Sequence, residues 1–122
     1  MAKLYEDEFV IVTECAVKIK NYHFPSKKMR CIPVEVITIL WFEEQDTSKC
    51  PTKIWGKSTA SIYWALDVKR CIPAGNCGRY NIVVDVGQKI RAGFTVTDCD
   101  SFMDAMRSVL DYHVIIVDTI NL

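Results

Sequence analysis

The side chains best suited to covalent or metal chemistry are six cysteines, Cys15, Cys31, Cys50, Cys71, Cys77 and Cys99, and two histidines, His23 and His113. A structural zinc site draws its ligands from closely spaced pairs, whereas here no two cysteines have C-x-x-C spacing and both histidines lie far from the nearest pair, Cys71 and Cys77. The thiols are also spread too thinly, among abundant aliphatic residues, for a disulfide scaffold. Reduced, mostly buried cysteines are the expectation. Gly75-Asn-Cys-Gly78 has the form of a glycine-flanked nucleophile, for which His23 or His113 would serve as base. The same residues make a turn rich in small side chains, and that reading takes precedence. G-x-S-x-G, P-loop, G-x-G-x-x-G and H-E-x-x-H motifs are all missing from the chain. Asp98 and Asp100 suit the start of a helix better than a catalytic carboxylate pair. The expectation is therefore a protein that is not an enzyme and uses no cofactor or metal, with a small cysteine-dependent enzyme the most distant alternative.

Anion binding is the other chemistry the residues allow. Fifteen basic and fifteen acidic side chains cancel, so no global field draws the chain to nucleic acid or membrane. The distribution is uneven, however. Cys15 to Val34 holds five basic residues and no acid, Lys49 to Arg91 holds eight against Asp67 and Asp85, and Thr95 to the end holds five acids and one arginine. A hairpin presenting Lys18, Lys20, Lys28 and Arg30 can hold phosphates by charge-assisted hydrogen bonds, which makes phosphorylated lipid headgroups or nucleotides the alternative ligands. Alternation on a solvated sheet face accounts for the same lysines without a ligand. Trp55 beside Lys53 and Lys57, and Tyr63 with Trp64, allow base stacking. Three tryptophans in a domain this small are expected in its core instead, so nucleic acid is not the expected partner.

These groups need a scaffold, and 122 residues, half of them hydrophobic and a quarter charged, supply one folded domain over residues 1–122. No apolar run approaches the roughly 20 residues that span a bilayer. Three acids precede the first apolar stretch, unlike a secretory signal, so a cytoplasmic location is expected. Strand patterns dominate: Phe9 to Thr13, Ala16 to Tyr22 after a turn at Glu14 and Cys15, Met29 to Pro33, and Val34 to Phe42. Glu43 to Pro51 is a surface loop, Lys53 to Gly56 and Ser61 to Leu66 form a hairpin, and Pro73 to Gly78 turns. Tyr80 to Val86 and Lys89 to Val96 are joined by Gly87-Gln88, a two-residue connection of type II′ form. Thr97 to Asp100 has capping-box spacing and opens a helix to Leu110, with Phe102, Ala105, Met106, Val109 and Leu110 on its apolar face. Tyr112 to Asp118 makes a last strand.

Phe9-Val-Ile-Val-Thr13, Val17-Lys-Ile19 and Arg30-Cys-Ile-Pro-Val-Glu-Val-Ile37, with Phe94-Thr-Val-Thr-Asp98 leading to Phe102, resemble small bacterial pleckstrin-homology-like domains over about residues 8 to 111. The resemblance implies a bent antiparallel sheet or barrel of about seven strands closed by one C-terminal helix; the tail after Asp111, read from its own residues as a short terminal strand, has no counterpart in the minimal fold. The resemblance also implies a non-catalytic binding or assembly module acting through protein–protein contacts. Phosphoinositide-binding pleckstrin-homology domains, unlike most of the bacterial relatives, hold their ligand with a basic strand-loop-strand, which Lys18, Lys20, Lys28 and Arg30 resemble in kind. The tail, Val114, Ile115, Ile116 and Val117, is four β-branched residues in a row, and at a sheet edge such a strand invites pairing. Either it joins its own sheet or it docks on a neighbour, so a protein partner or self-association is expected.

Overall fold

Strand pairing sorts the chain into two sheets and one helix. The computed structural model describes residues 2–45, 54–58, 61–68, 70, 79–120 and 122. Its ten strands are β1 (Lys3–Glu6), β2 (Val10–Thr13), β3 (Ala16–Ile19), β4 (Arg30–Pro33), β5 (Ile39–Glu44), β6 (Gly56–Lys57), β7 (Ile62–Trp64), β8 (Tyr80–Asp85), β9 (Arg91–Val96) and β10 (Ile115–Val117), and its helix is α1 (Cys99–Val109). Strands β1-β2-β3-β4 form an antiparallel sheet, and β10-β5-β8-β9-β7-β6 form a second in which only β10–β5 and β7–β9 run parallel. The mainly-β expectation with one helix holds. Among the described residues the strands make two separate ladders and no closed seven-stranded barrel.

Alternation along the strands explains how the layers meet. Val10, Val12, Val17, Ile19 and Ile32 of the first sheet face Leu40, Ile82, Val84, Phe94 and Val96 of the second, and Phe102 and Met106 of α1 complete one buried cluster. Phe102 is fully buried, with its ring edge-on to Tyr5 at 5.6 Å and to Phe94 at 5.8 Å. Each such side chain contributes roughly 1.5–3 kcal/mol when removed from water. Trp41, Ile62, Trp64 and Val83 form a second cluster on the other face of the larger sheet. Gly93 makes this cluster possible: a Cβ there would stand 2.5 Å from Trp64 Cε3 and 2.8 Å from Ile62 Cγ2, so only glycine lets the indole cross the strand. Trp41 and Trp64 are thus core residues, and Trp55 is half-buried.

Several boundaries differ from the sequence expectation, each for a local reason. Val34 to Phe42 is not one strand. Val34–Val36 makes a 3-10 turn, with Ile37 N–H donating to Val34 O at 3.2 Å, because β4 and β5 belong to different sheets and the chain must turn a corner between them. β5 in turn runs on through Glu43 and Glu44, which the β8 ladder holds opposite Asn81 and Tyr80. Residues 86–90, not Gly87-Gln88 alone, join β8 to β9. The Asp85 carboxylate sets this longer turn by accepting from Gly87 N–H at 2.8 Å and Arg91 Nε at 3.3 Å. The helix cap is Asp98, whose Oδ1 accepts from Ser101 N–H at 3.1 Å, rather than Thr97. Thr97 N–H instead donates to Asp7 Oδ2 at 3.0 Å. Asp7 also accepts from Phe9 N–H, Val10 N–H and the Tyr5 hydroxyl, tying the unforeseen strand β1 to the start of α1. Burial and the neighbouring Asp7 push the Tyr5 phenol up to about 12.

The cysteines correct another expectation. Cys15 and Cys31 are exposed and Cys99 is half-buried, and none of the three is in a disulfide. Burial, with help from Asp100, pushes the Cys99 thiol up to about 11. Cys50, Cys71, Cys77, the turn Pro73 to Gly78 and Lys53 lie outside the described residues, so Gly75-Asn-Cys-Gly78 does too. Among the described residues no helix is long and apolar enough to cross a membrane.

Candidate functional site

The four basic positions of the hairpin are not brought to one point. Lys18 stands opposite Cys31 in the β3–β4 register while Arg30 stands opposite Ile19, so Lys18 and Arg30 leave opposite faces of the sheet. Lys20 is already engaged, donating to Glu6 Oε2 at 2.9 Å and to Asp7 O at 2.8 Å. Hydrogen bonds from Lys3 and from Lys20 hold the Glu6 carboxyl down at about 2. Arg30 lies over the Tyr22 ring, 5.2 Å from its centroid, and donates to Tyr22 Oη at 2.9 Å and to Gln88 Oε1 at 3.1 Å. Burial raises the Tyr22 phenol above its ordinary range despite that guanidinium. Lys28 is exposed in the loop between β3 and β4.

The tail is placed in its own sheet. Ile115, Ile116 and Val117 pair in parallel with Ile39, Leu40 and Trp41, and Ile115 N–H donates to Thr38 O at 3.1 Å. Val117 packs with Ile39 and Ile120 on the Trp41 cluster, whereas Ile115 remains 58 % and Ile116 36 % exposed. Val114 is half-buried and precedes the strand. β10 is the outermost strand of the six, so its far side pairs with nothing among the described residues. Successive residues of a strand point their backbone groups to opposite sides, so Ile116 N–H faces that open edge. Beside it a shallow cleft of about 340 Å³ is lined by Glu35, Ile37, Thr38, Asp111, His113 and Val114. His113 and Tyr112 sit in an exposed turn ahead of the strand, with His113 Nδ1 3.5 Å from Asp111 Oδ1.

A third feature was not foreseen from the sequence. Gln45 just past β5, Asn81 on β8 and Thr95 on β9 stand side by side, and the segment after β7 lays Asp67 and Arg70 over them. Gln45 Nε2, with two hydrogens to share, lies within hydrogen-bonding distance of three acceptors, Asp67 Oδ2 at 3.1 Å, Asn81 Oδ1 at 3.0 Å and Thr95 Oγ1 at 3.0 Å. Thr95 Oγ1 donates to Asp67 Oδ2 at 2.6 Å, and Arg79 Nη2 donates to Asp67 Oδ1 at 2.6 Å. Arg70 donates to Asn81 Oδ1, Thr95 Oγ1 and the carbonyls of Ile54 and Ala65, with its guanidinium 4.7 Å from the Trp64 centroid. Burial is the largest influence on the Asp67 carboxyl and would raise it. The hydrogen bonds from Arg79, Thr95 and Gln45 and the charge of Arg70 outweigh that and hold it below its ordinary value. A carboxylate so paired is a poor proton acceptor. The arrangement clasps the segment after β7 to the sheet, and a cleft of about 230 Å³ beside it is lined by Glu8, Phe9, Asn21, Leu66, Asp67, Val68 and Arg79. Comparison with protein-family models, with curated proteins and with solved structures returns no match.

Proposed function

We propose that the chain is a pleckstrin-homology-like, non-catalytic assembly module of the cytoplasm, and that it assembles by strand addition at β10 with a second copy of itself. The observation carrying this reading is the open outer edge of β10, with Ile115 and Ile116 in solvent. Edge strands are ordinarily protected by short length, charged side chains, proline or a bulge; β10 is short, at three residues, but Ile115-Ile116-Val117 carries no charge, proline or bulge. In antiparallel self-pairing about Ile116, Ile115 of each copy lies opposite Val117 of the other, so no like charges oppose one another across the strand pair.

Sedimentation over a range of concentrations tests the reading. Ile116→Pro removes the backbone donor that faces the edge and spares the Ile115 bond to β5. Ile115→Lys puts a charge on the same edge from the side chain. Concentration-dependent dimerisation is expected for the parent. Each variant should weaken it at least about tenfold, since burying one isoleucine contributes roughly 1.5–3 kcal/mol. A parent that stays monomeric at the highest attainable concentration, or dimers indifferent to both substitutions, would refute assembly at β10.

A further inference from the structure

A different surface combines exposed apolar side chains with cations that are in no ion pair among the described residues. The loop between β3 and β4 is ordered by its own backbone: Tyr22 N–H and His23 N–H both donate to Lys28 O, at 3.2 and 3.1 Å, and Lys27 N–H donates to His23 O at 2.7 Å. Asn21 and Lys27 take positive φ, 52° and 60°, which turns the chain out and back. Phe24 stands at the tip, 65 % exposed, and Met29 at the return is 46 % exposed. Contacts with the β6–β7 hairpin hold the tip in place. Phe24 N–H donates to Tyr63 Oη at 3.0 Å, the Phe24 ring meets Trp55 edge-on at 4.7 Å, and Trp55 Nε1 donates to Tyr22 O at 2.9 Å.

Lys27 and Lys28 flank this tip, Lys57 follows Trp55 on β6, and Lys89 sits in the turn that Arg30 holds through Gln88; all four lysines are exposed. Among the described residues none of the four is in an ion pair. The described segments that build the surface, residues 15–34, 54–58, 61–66 and 86–96, contain no acidic residue at all. Excess positive charge around a rigid apolar tip is complementary to one kind of partner, a bilayer carrying anionic lipid, in which aromatic and aliphatic side chains settle below the headgroups while lysines stay among the phosphates. Single-stranded nucleic acid fits less well. Trp55 and Phe24 meet edge to face, Tyr22 and Tyr63 pack on each other at 4.8 Å, and Met29 has no ring to stack.

We infer that the β3–β4 loop is a docking site for anionic bilayers, with Phe24 and Met29 entering the interfacial layer and Lys27, Lys28, Lys57 and Lys89 contacting lipid phosphates. Co-sedimentation of the full chain with phosphatidylcholine vesicles, with and without phosphatidylserine, tests it. Binding is expected only with phosphatidylserine, and it should weaken as salt rises. Replacing Lys27 and Lys28 together by Ala should lower partitioning about thirtyfold, or roughly fivefold per charge near the surface. Phe24→Ala, at an exposed position, should reduce binding while leaving the circular dichroism spectrum unchanged. No binding to phosphatidylserine vesicles at low salt, equal binding to both vesicle types, or binding indifferent to Phe24→Ala and to the lysine pair would overturn the inference. So would loss of single-stranded DNA binding, but not of vesicle binding, in these variants.

Discussion

Asp67→Asn is the substitution that most directly tests whether the buried polar clasp holds the larger sheet together. Asp67 is 3 % exposed and receives hydrogen bonds from Arg79, Thr95 and Gln45. An asparagine keeps one acceptor oxygen, turns an NH2 group against donors, and removes the negative charge that faces two guanidiniums. Removing one partner from a buried ion pair costs about 3–5 kcal/mol, a large part of the roughly 5–15 kcal/mol that holds a domain folded. With a urea dependence of about 2 kcal/mol per molar, the unfolding midpoint should fall by about 2 M. The pH dependence carries a second signature. Because the folded pKa of Asp67 is held below its unfolded value, its contribution is fully present above about pH 4 and is lost as pH falls toward the folded pKa. Below pH 4 the parent should therefore lose stability more steeply than Asp67→Asn. The double variant with Thr95→Val should cost less than the sum of the single changes, since both act on one carboxylate. Equal urea midpoints at pH 7, or parallel losses in acid, would refute the argument that Asp67 anchors this network.

Two further measurements probe packing and reactivity. Gly93→Ala should destabilise by about 1–3 kcal/mol in urea unfolding, because its methyl would press on the Trp64 ring and no flexible side-chain end is there to yield; a neutral result would mean the indole can move off β9. Cys99, with its thiol pushed up to about 11, should alkylate at pH 8 at least about tenfold more slowly than an ordinary thiol of pKa near 8.5, as peptide mapping would report. A rate matching an unfolded control would contradict the burial assigned to it.

Local patterns in the sequence sufficed where one element decides its own structure. The β-branched run of Val10–Thr13, period-two alternation in Ala16–Ile19, and three-and-four spacing of Phe102, Ala105 and Met106 were legible because a strand or helix stripe imprints itself on nearby residues. The helix start was legible to within one residue: an acid in the first turn is readable, but which side chain caps it depended on Asp7 drawing Thr97 away from a distance of 90 residues. Tertiary structure alone decided the rest. The break at Val34–Val36 follows from the chain leaving one sheet for another, and nothing in a run of valines and isoleucines records that change. The hairpin cations were readable as a cluster in sequence, yet register sends Lys18 and Arg30 to opposite faces and Glu6 takes Lys20. Gln45, Asp67, Arg70, Arg79, Asn81 and Thr95 look like ordinary surface residues one by one. They become a buried network only when β5, β8 and β9 pair and the segment after β7 folds over them, because a polar group survives burial only where the fold delivers its hydrogen-bond partners.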